Sequence, residues 1–341
     1  MGVQLPVVDS TMVEYPEVDS RVVQRPLARR HRGPYLAPAL ATGVDDAEWT
    51  LRAGPWSAVV SPFGASLRRL QVEQEGRVRD VLWGYSGAAG KRGGQGDVLF
   101  PFPGRVRDGA YTFAGERHQL ERNDKEGPNA IHGFVRGRPW QGRQDGRTAE
   151  FHVRLRPGEH PGYPFDVELG VAYEVTPKGL VCAFVARNPG NSPVPVGVGF
   201  HSYIQAAGGV DAARLCCPAG QVVEFEGLLP TGRVAEVPAA LDFRASRVVG
   251  PARLNHCFTG LAADGDGFTR VVVDDVEVWM GPAFPYVVLY TGDALGADAR
   301  RALAVEPMTC ATDAFNHPAW GLAVLGPGEA WTGSWGVALK A

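Results

Sequence analysis

Val167, Leu169, Val171, Tyr173 and Val175 take every second position of one stretch, with Glu168 and Glu174 between them. A period of two puts one row of side chains on a core and the other towards water, the pattern of a strand and not of a helix. Pro177-Lys178-Gly179 supplies a turn, and Leu180, Cys182 and Phe184 resume the alternation on a returning strand. Similar pairs run over Val271 to Met280 and Val287 to Tyr290, and only a short piece around Asp293 to Arg301 reads as helical. With 44 glycines and 27 prolines in 341 residues, turns are frequent enough for many short strands. The fold class predicted is an all-β sandwich of many strands with few short helices.

Residues 1–46 stand apart as an N-terminal extension, with several prolines, a basic cluster at Arg29, Arg30, His31 and Arg32, and no strand-like pattern. The body is residues 47–341. A net charge of -3 gives no field to gather nucleic acid or anionic lipid. No apolar run approaches the ~18 residues of a membrane span, and the N-terminus lacks the apolar core of a secretory signal. Composition therefore predicts a cytoplasmic chain with no nucleic-acid and no membrane partner, and it leaves monomer or homodimer open. The cysteine count of five is odd, with no Cys-x-x-Cys pair and no His-x-x-x-His, which favours reduced, mostly buried thiols and no metal site.

Three segments far apart each carry one group suited to proton transfer. They are Asn129-Ala130-Ile131-His132-Gly133-Phe134, Val198-Gly199-Phe200-His201-Ser202-Tyr203 and Ala304-Val305-Glu306-Pro307-Met308-Thr309. An arginine segment, Phe102-Pro103-Gly104-Arg105-Val106-Arg107-Asp108-Gly109, precedes them. Two histidines and a carboxylate without metal-ligand spacing suit general acid–base chemistry. A carboxylate at the end of an apolar strand, ahead of a proline, can be held rigidly and partly desolvated, which raises its pKa towards the working pH. The Gly-rich approach to His201 clears room beside its imidazole.

In that order and context the segments resemble the aldose 1-epimerase (galactose mutarotase) family, from about Glu48 to Lys340. The resemblance implies the large galactose-mutarotase-like supersandwich and a monosaccharide substrate, with no metal, nucleotide or redox cofactor. It implies Glu306 as the base on the C1 hydroxyl and His201 as the acid on the ring oxygen. His132 would hydrogen-bond the substrate, and Arg105 would grip sugar hydroxyls with its planar fork. An ionised Glu306 nearby is expected to favour the imidazolium of His201. Arg107, one alternation step from Arg105, is a weaker candidate, and Asp108 is a possible ion-pair partner for Arg105. Asn255, in Leu254-Asn255-His256-Cys257-Phe258, stands where the family commonly has a substrate-binding aspartate. Phe284, in a Phe-Pro loop, could offer an aromatic surface to a sugar face or pack in the core.

Two other readings share the fold. A hexose-6-phosphate 1-epimerase would need added cations, for which Arg68, Arg69 and Arg138 are candidates. A non-catalytic sugar-binding or regulatory protein would keep the cleft without efficient turnover, and Asn255 is the feature that suggests it. A serine hydrolase would want a Gly-x-Ser-x-Gly elbow and a glycosidase a second motif-borne carboxylate; neither is present. Gly93-Gly94-Gln95-Gly96 lacks the spacing of a phosphate loop.

Overall fold

The computed structural model describes residues 47–340. The expected N-terminal extension, with its basic cluster, lies outside the described residues.

The alternating stretch forms the strand Val167–Thr176, which turns at Pro177-Lys178 and returns as Gly179–Arg187, with Val171 opposite Phe184. Val167, Leu169, Val171, Tyr173 and Val175 all sit in the main core. The opposite row is less wet than the sequence pattern predicts, because Gly170, Ala172 and Glu174 are buried as well. Glu174 holds an ion pair with Arg147 at 2.9 Å.

These two strands lie in a nine-stranded antiparallel sheet that continues through Ala330–Leu339 to the hairpin Thr269–Val273 and Val276–Met280. Against it packs a seven-stranded antiparallel sheet. Its order is Leu229–Glu236, Ala219–Glu226, Asn255–Leu261, Tyr286–Tyr290, Ala302–Met308, Gly199–Gln205 and Asp97–Leu99. Val287 to Tyr290 pairs here on both sides, with Asn255–Leu261 and with the next strand of the chain, Ala302–Met308. Phe200 of this sheet meets Trp335 of the other at 5.2 Å, and rings from both close the space between them. A four-stranded sheet over Trp49–Asp80 packs at one end, Trp49 stacking on Phe151 at 5.1 Å. The architecture is the all-β sandwich expected. Helical content among the described residues is four three-residue 3-10 turns, one of them at Gly296–Asp298 inside the piece read as helical. No helix among them is long and apolar enough to cross a membrane. Five thiols are free, four of them buried.

Candidate active site

His201 and Glu306 meet because their strands are neighbours in register. Gly199 pairs with Met308 and Ser202 with Val305, which sets His201 opposite Glu306 on one face. Pro307 has no N–H to donate, so the ladder opens beside this pair. Glu306 is therefore not at a strand end as the sequence suggested; it is the fifth residue of Ala302–Met308, which runs through the proline. His201 Nε2 stands 3.3 Å from Glu306 Oε1, and both side chains are nearly closed off from solvent. On the far side of His201 the same register places Asp97.

The imidazole of His201 is set by packing, since its Nδ1 has no hydrogen-bond partner among the described residues. It stacks on Tyr203 at 4.9 Å. A Cβ at Gly94 would come within 2.4 Å of its ring, so only glycine leaves the imidazole in place. The glycine run rejected as a phosphate loop is thus a cover for His201.

His132 is brought in by a tight turn. Its φ of 63° is left-handed, and a Cβ at the next residue, Gly133, would lie 1.9 Å from the Phe100 carbonyl oxygen. The backbone N–H of His132 donates to Gly104 O, and the Gly104 N–H donates to His132 Nδ1 at 3.2 Å. With Nδ1 accepting, the neutral ring carries its proton on Nε2 and can donate from there. The His132 and His201 rings lie 5.8 Å apart, edge to face.

Arg105 sits on the short strand Arg105–Val106, opposite Ile131 next to His132. Its partners are Asp124 at 2.7 Å and Glu126 at 2.5 Å, not Asp108. Burial pushes the Asp124 carboxyl up, but hydrogen bonds from Arg105, Glu126 N–H and Asn129 hold it below its ordinary value. The alternation breaks after Val106, so Arg107 does not share this face. It enters a 3-10 turn and donates to Pro230 O instead.

Register places Asn255 opposite Tyr290, which is opposite Ala304. Asn255 thus shares the face of Glu306 one step along, with its side chain exposed. Phe284 does not reach the site. A turn from Gly281 drops its ring into the core, 2% exposed and edge-on to Phe184 and Phe200. Arg68, Arg69 and Arg138 are held by Glu48, Ser86 and Glu159 respectively. None of them supplies the cations beside the pair. Those are Lys91, hydrogen-bonded to Asp97, and Arg136, whose Nη1 is 4.0 Å from Asp97. Lys91, Asp97 and Arg136 carry no motif of their own. The one available signal was position, Arg136 four residues after His132 and Asp97 just ahead of the arginine segment.

Burial sets the charge state. It raises the Glu306 carboxyl to about 8, with Arg105 opposing and Asp97 reinforcing. It lowers His201 to about 3, helped by Arg136 and Lys91. His132 is driven well down by burial, then by Arg136, His201 and Arg105. The expected imidazolium beside a carboxylate is therefore not the resting form. Burial disfavours the charged form of each group, and the pair shares one proton.

A buried carboxyl and imidazole 3.3 Å apart, sharing one proton, place an acid and a base side by side. The sequence model of the aldose 1-epimerase family matches residues 48–337. An uncharacterised Escherichia coli K12 protein, YihR, is 30% identical over 224 residues, 65% of this chain and 71% of that one. Sus scrofa galactose mutarotase is 29% identical over 195 residues, 53% of this chain and 56% of its own. Among solved structures, the Caenorhabditis elegans GalM/aldose epimerase homologue superposes with TM-score 0.75 at 21% identity, covering 86% of this chain and all of that one. Lactobacillus acidophilus galactose 1-epimerase gives 0.71 at 20% identity, over 86% of this chain and 95% of its own. These neighbours share the fold, and with the match over residues 48–337 the chain belongs to the aldose 1-epimerase family.

Proposed function

We propose that the protein interconverts the α and β anomers of an aldose, with Glu306 and His201 as the acid–base pair. The observation that carries this is the 3.3 Å contact between two buried groups that together hold one proton. Ring opening needs one proton removed and one supplied, which a one-proton pair does without net exchange with solvent. Sugar hydroxyls and Arg105 stabilise the Glu306 carboxylate once substrate fills the cleft, and the shared proton moves to His201. Glu306 takes the C1 hydroxyl proton, the C1–oxygen ring bond breaks as the carbonyl forms, and the ring oxygen receives the proton of His201. Rotation about C1–C2 presents the other carbonyl face, and the same steps reverse to close it. His132, with its Nε2–H free of Gly104, donates to the substrate from the opposite wall, and Asn255 lies at the cleft margin as a hydroxyl partner.

Freshly dissolved α-glucose and α-galactose, followed by polarimetry with catalytic protein, should equilibrate faster in proportion to enzyme. Binding of either sugar without acceleration would overturn the enzyme reading and leave a sugar-binding protein.

A further inference from the structure

We propose that the wall formed by Lys91 and Arg136 receives an anionic substituent at the C6 end of the sugar, making a C6-anionic aldose the preferred substrate. The inference rests on the epimerase reading above and deepens it.

Lys91 and Arg136 converge on one carboxylate, Asp97, which register places beside His201. Two cations on one anion leave a positive charge. Asp97 is 1% exposed, while the Lys91 and Arg136 side chains are 23% and 29% exposed, so the anion lies at the floor and the cations towards solvent. The Arg136 guanidinium makes no hydrogen bond among the described residues, and its ion pair with Asp97 is loose, at 4.0 Å. A planar fork of donors in that state suits an oxyanion. The other end of the site is opposite in sign, one Arg105 facing both Asp124 and Glu126.

Chemistry fixes which end of a sugar meets which wall. His201 serves the ring oxygen, C5 is bonded to that oxygen, and C6 follows. A charge on C6 therefore falls on the His201 side, beside Lys91 and Arg136. After burial, the same two cations help hold His201 deprotonated. An anion placed on them would weaken that pressure and let His201 take the proton it must deliver, so kcat should rise as well as affinity.

A carboxylate and a phosphate ester at C6 differ in charge and reach, and the test carries both. Anomer exchange measured by NMR on glucose, glucuronate and glucose 6-phosphate should give at least one anionic sugar a kcat/KM about tenfold or more above glucose, the worth of one charge-assisted hydrogen bond. Arg136→Gln should lower that ratio by about the same factor, and Arg136→Lys should restore part of it. Glucose turned over faster than both anions, or a ratio indifferent to Arg136→Gln, would overturn the substrate class and leave the epimerase standing. No acceleration of any of the three sugars would overturn both.

Discussion

Along Gly199–Gln205, Phe200 and Ile204 face the nine-stranded sheet, while His201 and Tyr203 lie on the opposite face, that of the proposed substrate cleft, Tyr203 packed with Trp83 and Ala304. Along Ala302–Met308, Leu303 and Val305 belong to the main core, while Ala304 and Met308 join smaller clusters on the Glu306 side. Burial does not separate the two faces, for His201 and Glu306 are 5% and 4% exposed. What separates them is how much each depends on residue identity. The core face needs apolar volume, which several side chains could fill. The cleft face carries a desolvated carboxyl and two imidazoles, and the proposed chemistry needs those particular groups on particular neighbouring strands.

The sharpest way to break this comparison is Glu306→Gln. Turnover should fall by about 10²–10⁴-fold, the range for a positioned acid or base. Stability should move the other way. Glu306 titrates near 4.5 in the unfolded chain and about 8 when folded, so folding favours its protonated form. That contribution is complete below pH 4.5 and is lost as pH rises through about 8. Glutamine cannot ionise, so the variant should gain on the wild type by ~1–3 kcal/mol at pH 8 to 9 and lose the advantage near pH 4.5. Denaturant melts at both pH values check this. A variant less stable than wild type at high pH would mean that Glu306 is a structural ion.

Leu289→Ala tests the other face. Leu289 is fully buried in the core, opposite Val305 on the strand that carries Glu306. Losing its side chain should cost ~2–5 kcal/mol, read as a lower denaturation midpoint. The folded fraction should keep its turnover. Loss of kcat without loss of stability would show that the faces are not independent.

The same contrast explains what the sequence made legible. Core-facing alternation is local and redundant, so strands such as Val167 to Phe184 and, with the frequent turns, the sandwich class could be read from sequence. Glu306, His201 and His132 were legible because each sits in a motif, yet their adjacency came from strand pairing across more than 100 residues. Asp97, Lys91 and Arg136 have no motif, and nothing local says that Asp97 will pair opposite His201. For Phe284 the sequence left a sugar platform and core packing both open, because an aromatic ahead of a proline carries no direction until the Gly281 turn aims it inward. Arg107 failed for a like reason, its strand ending one residue earlier at Val106. The charge expected of His201 counted its proximity to Glu306 and left out the desolvation of its own imidazole.

Gly94→Ala should give the smallest effect and sharpen the comparison most finely. Gly94 lies outside the left-handed region, so alanine is allowed on backbone grounds and the fold should tolerate it. Its new Cβ would come 2.4 Å from His201 Cδ2 and 2.8 Å from Nε2, and a rigid ring stacked on Tyr203 has little room to yield. The imidazole must tilt away, stretching the 3.3 Å contact with Glu306. Displacements of this size at a reacting group cost ~10–10²-fold, so kcat should drop by about tenfold while the melting temperature moves by no more than a few degrees. Gly137→Ala is the control, because a Cβ there meets nothing within 4 Å. Equal, undiminished kcat in both variants would show that packing against Gly94 does not set the position from which His201 works. A fall confined to Gly94→Ala would mean that the cleft face, unlike the core face, is disturbed by a single methyl group.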